Sequence, residues 1–343
     1  MSMKSLPKRR LGRTDFDITP VGFGAWAIGG PDWGWGWGRQ DDSQSIAAIR
    51  HAVERGINWI DTAPVYGLGH SEEIVREALS VIPRSERPLI FTKAGLVWDP
   101  DNRNALPARI GSAKSLRSEV EASLKRLGVE VIDLYQMHWP TNDGTPVEEY
   151  WATFAALKAE GKVRAIGLSN HDRALLQRAA TVAPVDVVQP PFSAIKRQFA
   201  GDDLPWVRAH GSGVIAYSPL QSGLLTGAFT PARARALPEN DWRSRDEEFS
   251  GEALHRNLAF AEGLRPIAAR HEVTVAAIAA AWAISWPGVT GAIIGAREPA
   301  HIDGWIAAAT VSLTPRDLDD IEDMLWATRA GTGPTRPDLK EAA

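Results

Sequence analysis

Four side chains that can take part in acid–base chemistry lie at or just beyond the ends of apolar runs. Asp61, Lys93 and His138 each close a short run dominated by apolar residues, and Tyr66 lies five positions after Asp61. Such runs are typical of buried strands, and Pro64 ends the first of them. If the strands belong to one parallel sheet, their carboxyl ends meet at the same edge. The spacing therefore predicts that a carboxylate, a phenol, an ammonium group and an imidazole converge.

This set of groups suits proton transfer to or from a substrate oxygen atom. A tyrosine is a weak acid, with a reference pKa of about 10, and it needs nearby positive charge to give up its proton easily. We expect Lys93 to lie close enough to lower the pKa of Tyr66, and Asp61 to hold Lys93 in place. His138 would hydrogen-bond a carbonyl oxygen and orient it. The hydride that then reaches the carbonyl carbon must come from a cofactor, because no side chain supplies one.

Each of these residues also has an ordinary structural explanation. A strand-end carboxylate is often a cap, a loop tyrosine is usually a surface aromatic, and a lone lysine is usually solvated. A lone histidine beside Trp139 is more often packed than catalytic. For any one of Tyr66, Lys93 and His138 by itself, the structural explanation is preferred. Only their shared position at strand ends favours a common site.

The rest of the chain alternates between apolar runs and helical patterns. The predicted strands cover residues 20–26, 57–61, 89–93, 131–138, 163–170, 185–190, 214–218 and 291–295. The predicted helices cover residues 43–55, 71–79, 112–127, 147–160, 173–180, 204–210, 260–270, 275–285, 299–309 and 315–326. Count and regularity favour the α/β class and a closed (β/α)8 TIM barrel over an open doubly wound sheet. We expect an N-terminal β-hairpin around residues 11–15 and an additional C-terminal helix.

No domain-sized break in composition interrupts this alternation. We therefore expect one domain over residues 1–330 and a polar, flexible tail over residues 331–343. Two long loops stand out. Residues 29–38 are rich in Gly and Trp, and Gly at every second position over residues 33–38 excludes a helix there. Residues 229–257 are charged and proline-bearing. A loop of the second length is usually functional or disordered.

Composition excludes several classes of function. The 38 Lys and Arg against 42 Asp and Glu give a net charge of −4, so neither nucleic acid nor a membrane surface is predicted as a partner. The absence of cysteine removes disulfides, thiolate metal sites and cysteine nucleophiles. No apolar run has the length of a signal-peptide core or of a membrane helix, and we expect a cytoplasmic protein. No metal is expected, because only Asp61 and His138 offer ligands at the strand ends.

Tryptophan is unusually frequent, with 14 residues. Because tryptophan is a costly way to fill a core, tryptophans clustered in loops predict an aromatic pocket for a small molecule. The predicted pocket residues are Trp26, Trp33, Trp35, Tyr66, Trp98, His138 and Trp139. Packing remains the simpler explanation for any one of them.

In order and context, the four acid–base residues resemble the catalytic tetrad of the aldo-keto reductases. The surrounding sequences match as well, at residues 56–63, 133–140 and 161–170. The resemblance extends from Leu11 to about Trp326 and is greatest to bacterial reductases related to general stress proteins and inositol-operon reductases. It implies an NADP(H)-dependent oxidoreductase that interconverts aldehydes or ketones and alcohols, with Tyr66 as the general acid and base.

The same resemblance implies a cofactor site. Its residues would be Gly24, Trp26, Asp61, Ser169, Asn170, Gln189, Tyr217, Ser218, Pro219, Leu220, Ser222, Gly223, Leu225, Gly295, Arg297 and His301. Within this set, Ser169, Asn170 and Gln189 would hold the nicotinamide carboxamide. Tyr217 would stack on the nicotinamide ring, and residues 218–225 would wrap the pyrophosphate.

The adenosine end of this site depends on the residues after the last strand. Gly295 and Arg297 would reach an adenosine 2′-phosphate, which suits an arginine fork. This favours NADP, with NAD as the alternative. The chain departs from the family pattern at His301 and Trp305, where relatives often carry Gln and Asn.

Other folds and functions fit parts of the sequence. Residues 22–27 fit the dinucleotide fingerprint G-x-G-x-x-A, but the chain then runs into Gly29-Gly30-Pro31 rather than a helix, which argues against a Rossmann fold. A sugar 1-dehydrogenase that oxidises a cyclic hemiacetal stays open, since aromatic faces also suit sugars. A regulatory subunit of the channel β-subunit type, sensing bound NADP, stays open as well. The substrate would be a small carbonyl compound or sugar, and the protein a monomer or small homo-oligomer.

Overall fold

The computed structural model describes residues 6–31 and 33–338. Eight parallel strands close into a barrel in which each strand pairs with the next one along the chain and the last pairs with the first. The strands are β1 (Val21–Gly24), β2 (Trp59–Asp61), β3 (Leu89–Ala94), β4 (Ile132–Met137), β5 (Val163–Ser169), β6 (Val187–Gln189), β7 (Gly213–Tyr217) and β8 (Gly291–Gly295). The predicted (β/α)8 barrel is confirmed, with every strand at its predicted place.

The base of the barrel, at the amino ends of the strands, is closed by apolar side chains. Trp59 and Phe91 lie inside it, with ring centroids 5.4 Å apart, and the indole of Trp59 donates a 2.8 Å hydrogen bond to the carbonyl oxygen of Thr19. The Trp59 ring leaves no room at its neighbour on β1, because a Cβ atom at Gly22 would lie 2.2 Å from it. Glycine at position 22 therefore allows the indole to fill the barrel.

The predicted N-terminal hairpin seals this base from below. It pairs Arg9–Arg10 with Asp17–Ile18. The buried hairpin side chains that join the cluster around Trp59 are Leu11, Phe16 and Ile18. Removing these side chains from water stabilises the closed end of the barrel.

Helices surround the barrel and bury their apolar faces against the strands. They are α1 (Asp42–Glu54), α2 (His70–Leu79), α3 (Ala113–Leu127), α4 (Val147–Ala159), α5 (Arg173–Ala180), α6 (Gln198–Asp202), α7 (Leu204–Ala209), α8 (Pro231–Arg235), α9 (Gly251–Gly263), α10 (Arg265–Arg270), α11 (Val275–Ile284), α12 (Pro299–Trp305) and α13 (Pro315–Thr328). Several begin at a side-chain cap, as at Asp41, Ser112 and Asp172, which satisfies a free backbone N–H group of the first turn. The additional C-terminal helix is α13.

The structure corrects the sequence prediction in the second long loop. The helix predicted over residues 260–270 is two helices, α9 and α10, and α9 already begins at Gly251. Pro266 marks the break because it lacks the backbone N–H that a continuous helix would need. The loop predicted over residues 229–257 also contains α8 and two 3₁₀ turns, Trp242–Arg245 and Glu247–Phe249.

Smaller departures occur elsewhere. A hairpin of Leu96–Val97 with Ala108–Arg109 extends beyond the end of β3 and was not predicted. The helix predicted over residues 299–309 ends at Trp305 and continues as a 3₁₀ turn, Ile306–Ala309.

The segment predicted as a flexible tail makes defined contacts where the structure describes it. Thr332 pairs with Lys196, and the guanidinium of Arg197 donates to the carbonyl oxygen of Gly333 at 3.2 Å. Residues 339–343 of that tail, and residues 1–5 of the predicted domain, lie outside the described residues. In the described ranges no single helix is long and apolar enough to span a membrane. Only the pair Gly251–Arg270 and Val275–Ile284, bent by 92°, meets that length and composition.

Candidate active site

Lys93 stands at the centre of a buried polar cluster at the carboxyl end of the barrel. Its Nζ atom donates to Oδ1 of Asp61 at 2.5 Å, to the carbonyl oxygen of Thr62 at 2.9 Å and to the hydroxyl oxygen of Tyr66 at 3.2 Å. Lys93 is fully buried and Asp61 nearly so. β2 and β3 are neighbours in the barrel, so their ends place the carboxylate and the ammonium group side by side.

The second oxygen of Asp61 is held by two amides. Nε2 of Gln189 donates to Oδ2 at 2.8 Å and Nε2 of Gln136 donates to it at 3.3 Å. Gln189 also donates to Oε1 of Gln136 at 3.1 Å. These hydrogen bonds compensate the carboxylate for the hydration that it loses on burial. Sequence reasoning missed Gln136, which lies inside β4 rather than at its end.

His138 completes the cluster from the end of β4. Its ring lies perpendicular to that of Tyr66, with centroids 5.7 Å apart, and its backbone N–H donates to the carbonyl oxygen of Ala94 at 3.0 Å. Burial, and then the positive charges of Lys93 and Arg109, hold the pKa of His138 well below its usual value. The imidazole is therefore neutral at pH 7, and it can donate a hydrogen bond to a substrate oxygen without carrying charge.

The predicted lowering of the Tyr66 pKa does not occur in the structure. Burial raises that pKa well above its usual value, and the negative charge of Asp61 adds to the rise. The ammonium group of Lys93 lies within hydrogen-bond distance, as predicted, but these two effects outweigh it. Burial also lowers the pKa of Lys93 itself, against the opposing charges of Asp61 and Glu72. Tyr66 is therefore a protonated phenol at neutral pH.

Ser169 and Asn170, at the end of β5, lie against this cluster. Nδ2 of Asn170 donates to the carbonyl oxygen of His138 at 2.9 Å and to the hydroxyl of Ser169 at 3.1 Å. The hydroxyl of Tyr217 donates to Oδ1 of Asn170 at 2.7 Å. Asn170 has a backbone φ of 62°, a left-handed conformation that asparagine tolerates better than most residues. The predicted carboxamide-holding residues Ser169 and Asn170 therefore share one hydrogen-bonded group with His138.

His171 holds the turn at Ser169 and Asn170 in place, and the sequence analysis did not predict this role. Its Nδ1 atom donates to the carbonyl oxygen of Ser169, and its Nε2 atom accepts from the hydroxyl of Tyr150, each at 2.7 Å. A carbonyl oxygen can only accept, so the neutral ring must carry its proton on Nδ1. Burial lowers the pKa of His171 to about 4.

The segment after β7 has an unusual backbone. Ser218, Gln221, Ser222 and Gly223 all have positive φ. Turns with such residues can point backbone N–H groups at an anion. The N–H groups of Gln221, Gly223 and Leu225 already donate to the carbonyl oxygens of Ser218 and Leu220, so an anion would have to bind the other N–H groups of this turn. The side chains of Leu220 and Leu225 are buried in the core. Pro219 lies between these residues, in the same turn.

Trp26 lies at the centre of the aromatic residues around the barrel mouth. Its ring stacks on Tyr66 with centroids 6.3 Å apart and, on another side, on Trp242 with centroids 5.3 Å apart. Trp33 is buried and lies 6.4 Å from Tyr66 between ring centroids. Trp242 was not predicted, because it belongs to the charged insertion far along the chain.

The two long loops meet above Trp26 and form a strap that we call the tryptophan bridge, made of residues 34–37 and 241–245. Trp37 pairs with Asp241 as isolated antiparallel strand residues, and the backbone N–H of Trp242 donates to the carbonyl oxygen of Gly36 at 3.2 Å. Arg245 donates to the carbonyl oxygen of Gly34 at 2.8 Å. The loops follow β1 and β7, so the bridge passes across β8, which lies between them.

Arg243 links the tryptophan bridge to the turn after β7, which contains Ser222. It forms a buried, two-point ion pair with Asp241, with N–O distances of 3.0 and 2.6 Å. Its Nη1 atom donates to the carbonyl oxygen of Ser222 at 3.2 Å. The guanidinium carbon lies 4.6 Å from the ring centroid of Trp37, a distance at which cation and aromatic face attract.

Some predicted residues lie apart from the cluster. In the described ranges Trp98 has no ring contact with Tyr66 or His138. Trp139 follows His138, and its ring is covered by the guanidinium of Arg109 at 4.7 Å. Trp35 is half exposed, and its ring lies 6.4 Å from that of Trp242. Among the described residues, therefore, no ring contact joins Trp35, Trp98 or Trp139 to Tyr66 or His138.

At the end of β8 the structure places Gly295, Arg297 and His301 close together. Gly295 pairs with Gly24 of β1. The backbone N–H of Arg297 donates to Nδ1 of His301 at 3.3 Å, and the Arg297 side chain turns toward residues 37–40. Trp305, the other departure from the family pattern, is buried in the core.

The arrangement can move a proton and hold an anion. The Lys93–Tyr66 contact can supply a proton to an oxygen atom beside His138, and the turn after β7 has the backbone conformation that anion-binding turns often have. In the described ranges no group of three His, Asp or Glu side chains could hold a metal ion.

Comparisons with known proteins agree with this geometry. A model of the aldo/keto reductase family matches residues 20–325. The chain is 36% identical to the NADH-specific methylglyoxal reductase of Escherichia coli over 340 residues, which are 95% of this chain and 99% of that protein. It is 35% identical to the aldo-keto reductase YhdN of Bacillus subtilis over 318 residues, or 92% of each protein.

Solved structures give the same answer. A glycerol dehydrogenase from Gluconobacter oxydans superposes with a TM-score of 0.84 at 35% identity, over 98% of this chain and 99% of that one. An aldo-keto reductase from Bacillus halodurans superposes with a TM-score of 0.73 at 21% identity, over 98% of this chain and 100% of that one. At that lower identity the likeness shows the fold alone.

Proposed function

The chain belongs to the aldo/keto reductase family and is an NAD(P)H-dependent oxidoreductase, and on that premise we propose that it interconverts small aldehydes or ketones and alcohols at the Lys93–Tyr66 site. The observation that carries this proposal is the position of Nζ of Lys93, bonded both to Asp61 and to the hydroxyl oxygen of Tyr66. Lys93 donates in the second bond, so the phenol proton of Tyr66 points elsewhere and is available to a substrate oxygen.

Each member of the cluster has a distinct task in this proposal. Tyr66 gives its proton to the carbonyl oxygen as the alcohol forms, and takes it back in the reverse reaction. The phenolate left by that transfer is stabilised by the ammonium group of Lys93, so the lysine acts chiefly in the transition state, when negative charge develops on the phenol oxygen. Asp61 keeps Lys93 charged and immobile.

His138 binds the substrate rather than moving a proton. Its depressed pKa makes it a neutral hydrogen-bond donor, which can fix the carbonyl oxygen close to the hydroxyl of Tyr66. A protonated imidazole there would compete with Tyr66 as the acid. The neutral ring thus favours Tyr66 as the proton donor.

The residues around the cluster fit a nicotinamide dinucleotide. Ser169 and Asn170 can offer a carboxamide their side-chain oxygen atoms, since their donors are bonded to the carbonyl oxygens of Gln189 and His138. The turn from Ser218 to Gly223 is of a kind that suits a pyrophosphate. The bound cofactor would supply the hydride. Gln189 already donates to Asp61 and Gln136, so it would offer a carboxamide its oxygen atom. The preference for NADP over NAD predicted from the sequence depends on Arg297, and that side chain is bonded to residues 37–40.

Two substrate classes suit this mouth. The relatives named for methylglyoxal and glycerol indicate small polar carbonyl compounds and polyols. The indole face of Trp26, next to Tyr66, favours a second candidate, a sugar oxidised as its cyclic hemiacetal, because C–H faces of sugars pack on aromatic rings. Turnover of methylglyoxal with reduced cofactor, compared with turnover of hexoses with oxidised cofactor, separates the two.

The direct test is Tyr66→Phe. We expect the rate of carbonyl reduction to fall by about 10³-fold, because the proton donor is removed, while cofactor binding is unchanged. Loss of nicotinamide absorbance measures the rate, and quenching of tryptophan fluorescence measures binding.

The matched control is Tyr135→Phe. The Tyr135 hydroxyl is buried in β4 and has no hydrogen-bond partner among the residues that the structure describes, so its removal should leave the rate unchanged. A Tyr66→Phe enzyme as fast as the control would refute the proton-donor role. A wild-type enzyme limited to a single slow turnover, with cofactor retained, would instead favour the regulatory-subunit alternative.

A further inference from the structure

The guanidinium group of Arg297 is engaged through all three of its nitrogen atoms. Nε donates to Oε1 of Gln40 at 2.5 Å, Nη1 donates to the carbonyl oxygen of Trp37 at 3.2 Å, and Nη2 donates to the carbonyl oxygen of Arg39. All three acceptors belong to one segment, residues 37–40, which leads out of the tryptophan bridge. Arg297 therefore ties that segment to the end of β8.

Gln40 makes the tie reciprocal. Its Nε2 atom donates to the carbonyl oxygen of Arg297 at 2.9 Å and to the hydroxyl of Ser45 at 2.9 Å, in the first turn of α1. Both ends of the Gln40 amide are thus used. We call the pair Gln40 and Arg297 the latch.

The latch uses the guanidinium group of Arg297, which the family resemblance predicted to bind a 2′-phosphate. An arginine grips a phosphate best as a fork, with two neighbouring N–H groups pointing at two oxygens. In the latch the side-on fork of Nε and Nη2 already donates to Gln40 and Arg39, and Nη1 donates to the Trp37 carbonyl, which is part of the tryptophan bridge. A phosphate could take this fork only by displacing the acceptors on Gln40 and Arg39, which hold the segment that leads out of the bridge.

The two uses of Arg297 therefore compete. The hydrogen bonds that Arg297 would form with a 2′-phosphate are offset by the hydrogen bonds to residues 37–40 that must break, and the bridge above the cofactor site loosens as well. NADH lacks the 2′-phosphate and would leave the latch closed. Because NADH and NADPH are otherwise identical, the latch affects only the difference between their affinities.

Building on the function proposed above, we propose that Arg297 acts as a loop latch rather than as a 2′-phosphate ligand, and that the enzyme consequently prefers NAD(H) to NADP(H). Gln40 is then a specificity-determining residue, although it need not touch either cofactor. The proposal predicts that weakening the latch from the Gln40 side helps NADPH and does little for NADH.

The test measures binding and does not depend on activity. The purified full-length protein is titrated with NADH and with NADPH, and energy transfer from tryptophan to the bound nicotinamide gives each Kd. For the wild type we expect a Kd for NADH about tenfold below that for NADPH, the ratio that corresponds to one charge-assisted hydrogen bond. In Gln40→Ala that ratio should shrink to about one, mainly through tighter NADPH binding, because Nε is freed to donate to the phosphate and Nη2 keeps only its bond to Arg39.

The control is Gln44→Ala. Gln44 is exposed in the first turn of α1, and its bond to Asp41 uses the backbone N–H alone, so both Kd values should stay as in the wild type. Arg297→Gln separates the two roles of the arginine. If Arg297 is a latch residue, Arg297→Gln raises both Kd values by the same factor. If Arg297 binds the phosphate, the substitution raises only the Kd for NADPH.

Three results would overturn the latch. They are a wild-type protein that binds NADPH at least as tightly as NADH, a ratio that Gln40→Ala leaves unchanged, and an Arg297→Gln variant impaired for NADPH alone. None of these touches the proposed oxidoreductase function, which would fail instead if neither nucleotide bound.

Discussion

The two sides of the barrel mouth are built in different ways. On the side of β2 to β6, the polar groups stand at or near strand ends and bond to one another, as Lys93 does to Asp61. On the side of β7, β8 and β1, long loops fill the space beyond the strand ends. There Arg243 and Arg297 bind loop carbonyl groups.

The difference separates reaction from recognition. Acid–base groups need positions fixed to a fraction of an ångström, which strands supply through their ladder of hydrogen bonds. A dinucleotide must enter and leave, and loops held by a few arginine contacts can open for it. Substitutions on the side of β2 to β6 should therefore change chiefly the reaction rate. Substitutions on the loop side should change chiefly local stability and cofactor affinity.

The largest effect should come from Lys93→Met on the strand side. Tyr66 loses the charge that stabilises its phenolate, and we expect the rate of reduction to fall by about 10³-fold. Asp61 is left as an unpaired buried carboxylate, which should lower the free energy of unfolding by about 3–5 kcal/mol. Steady-state kinetics and urea unfolding measure the two effects.

Lys125→Met, on the exposed face of α3, is the control and should change neither quantity. A Lys93→Met enzyme that keeps more than a tenth of the wild-type rate would contradict the contrast between the two sides.

On the loop side, Arg243→Met breaks the buried pair with Asp241. We expect the free energy of local opening of residues 241–249 to fall by about 3 kcal/mol, which corresponds to roughly a hundredfold faster hydrogen exchange there. The barrel strands should keep their protection. Arg245→Met, which removes one exposed bond to the bridge, should have little effect. Equal loss of protection in the strands would show that the two sides do not behave independently.

A smaller effect tests the joint between the sides, where His171 supports Ser169 and Asn170. The folded-state pKa of about 4 lies below the unfolded value of about 6.5. As the pH falls through that window, the unfolded state takes up a proton that the folded state refuses, so stability is lost. At pH 5 we expect the loss from this group to be about 2 kcal/mol relative to pH 7.

Urea unfolding at pH 7 and pH 5 measures this loss, and His171→Asn should remove it. His255→Asn, at an exposed position, should retain it. An identical pH dependence in the two variants would refute the buried, neutral state of His171.

How well each side could be predicted from the sequence follows from the same physics. Asp61, Lys93 and His138 could be found because an apolar strand that stops at a polar residue leaves a local trace. Gln136 leaves none, since an inward side chain within a strand looks like any other strand position. It could have been found only by asking what satisfies the second oxygen of a buried Asp61.

The loop side depends on contacts between distant parts of the chain. Nothing near Trp242 in the sequence indicates that its partner is Trp26, and nothing near Arg297 indicates Gln40. The charged composition of residues 229–257 predicted a loop, whereas Thr230 caps the first turn of a short helix within it. The predicted direction of the Tyr66 pKa shift was wrong because burial cannot be weighed before the fold is known.

The sealed base of the barrel bears on how the protein could be tethered or joined to another. The N-terminal hairpin packs Leu11 against Trp59 and lies against the first residue of β7, where a Cβ atom at Gly12 would come within 2.1 Å of the Gly213 backbone. The hairpin thus lies on the face opposite the mouth. A partner domain or a surface attached through the hairpin, ahead of Arg9, would lie at the closed base of the barrel. Substrate and cofactor could then still enter and leave through the mouth.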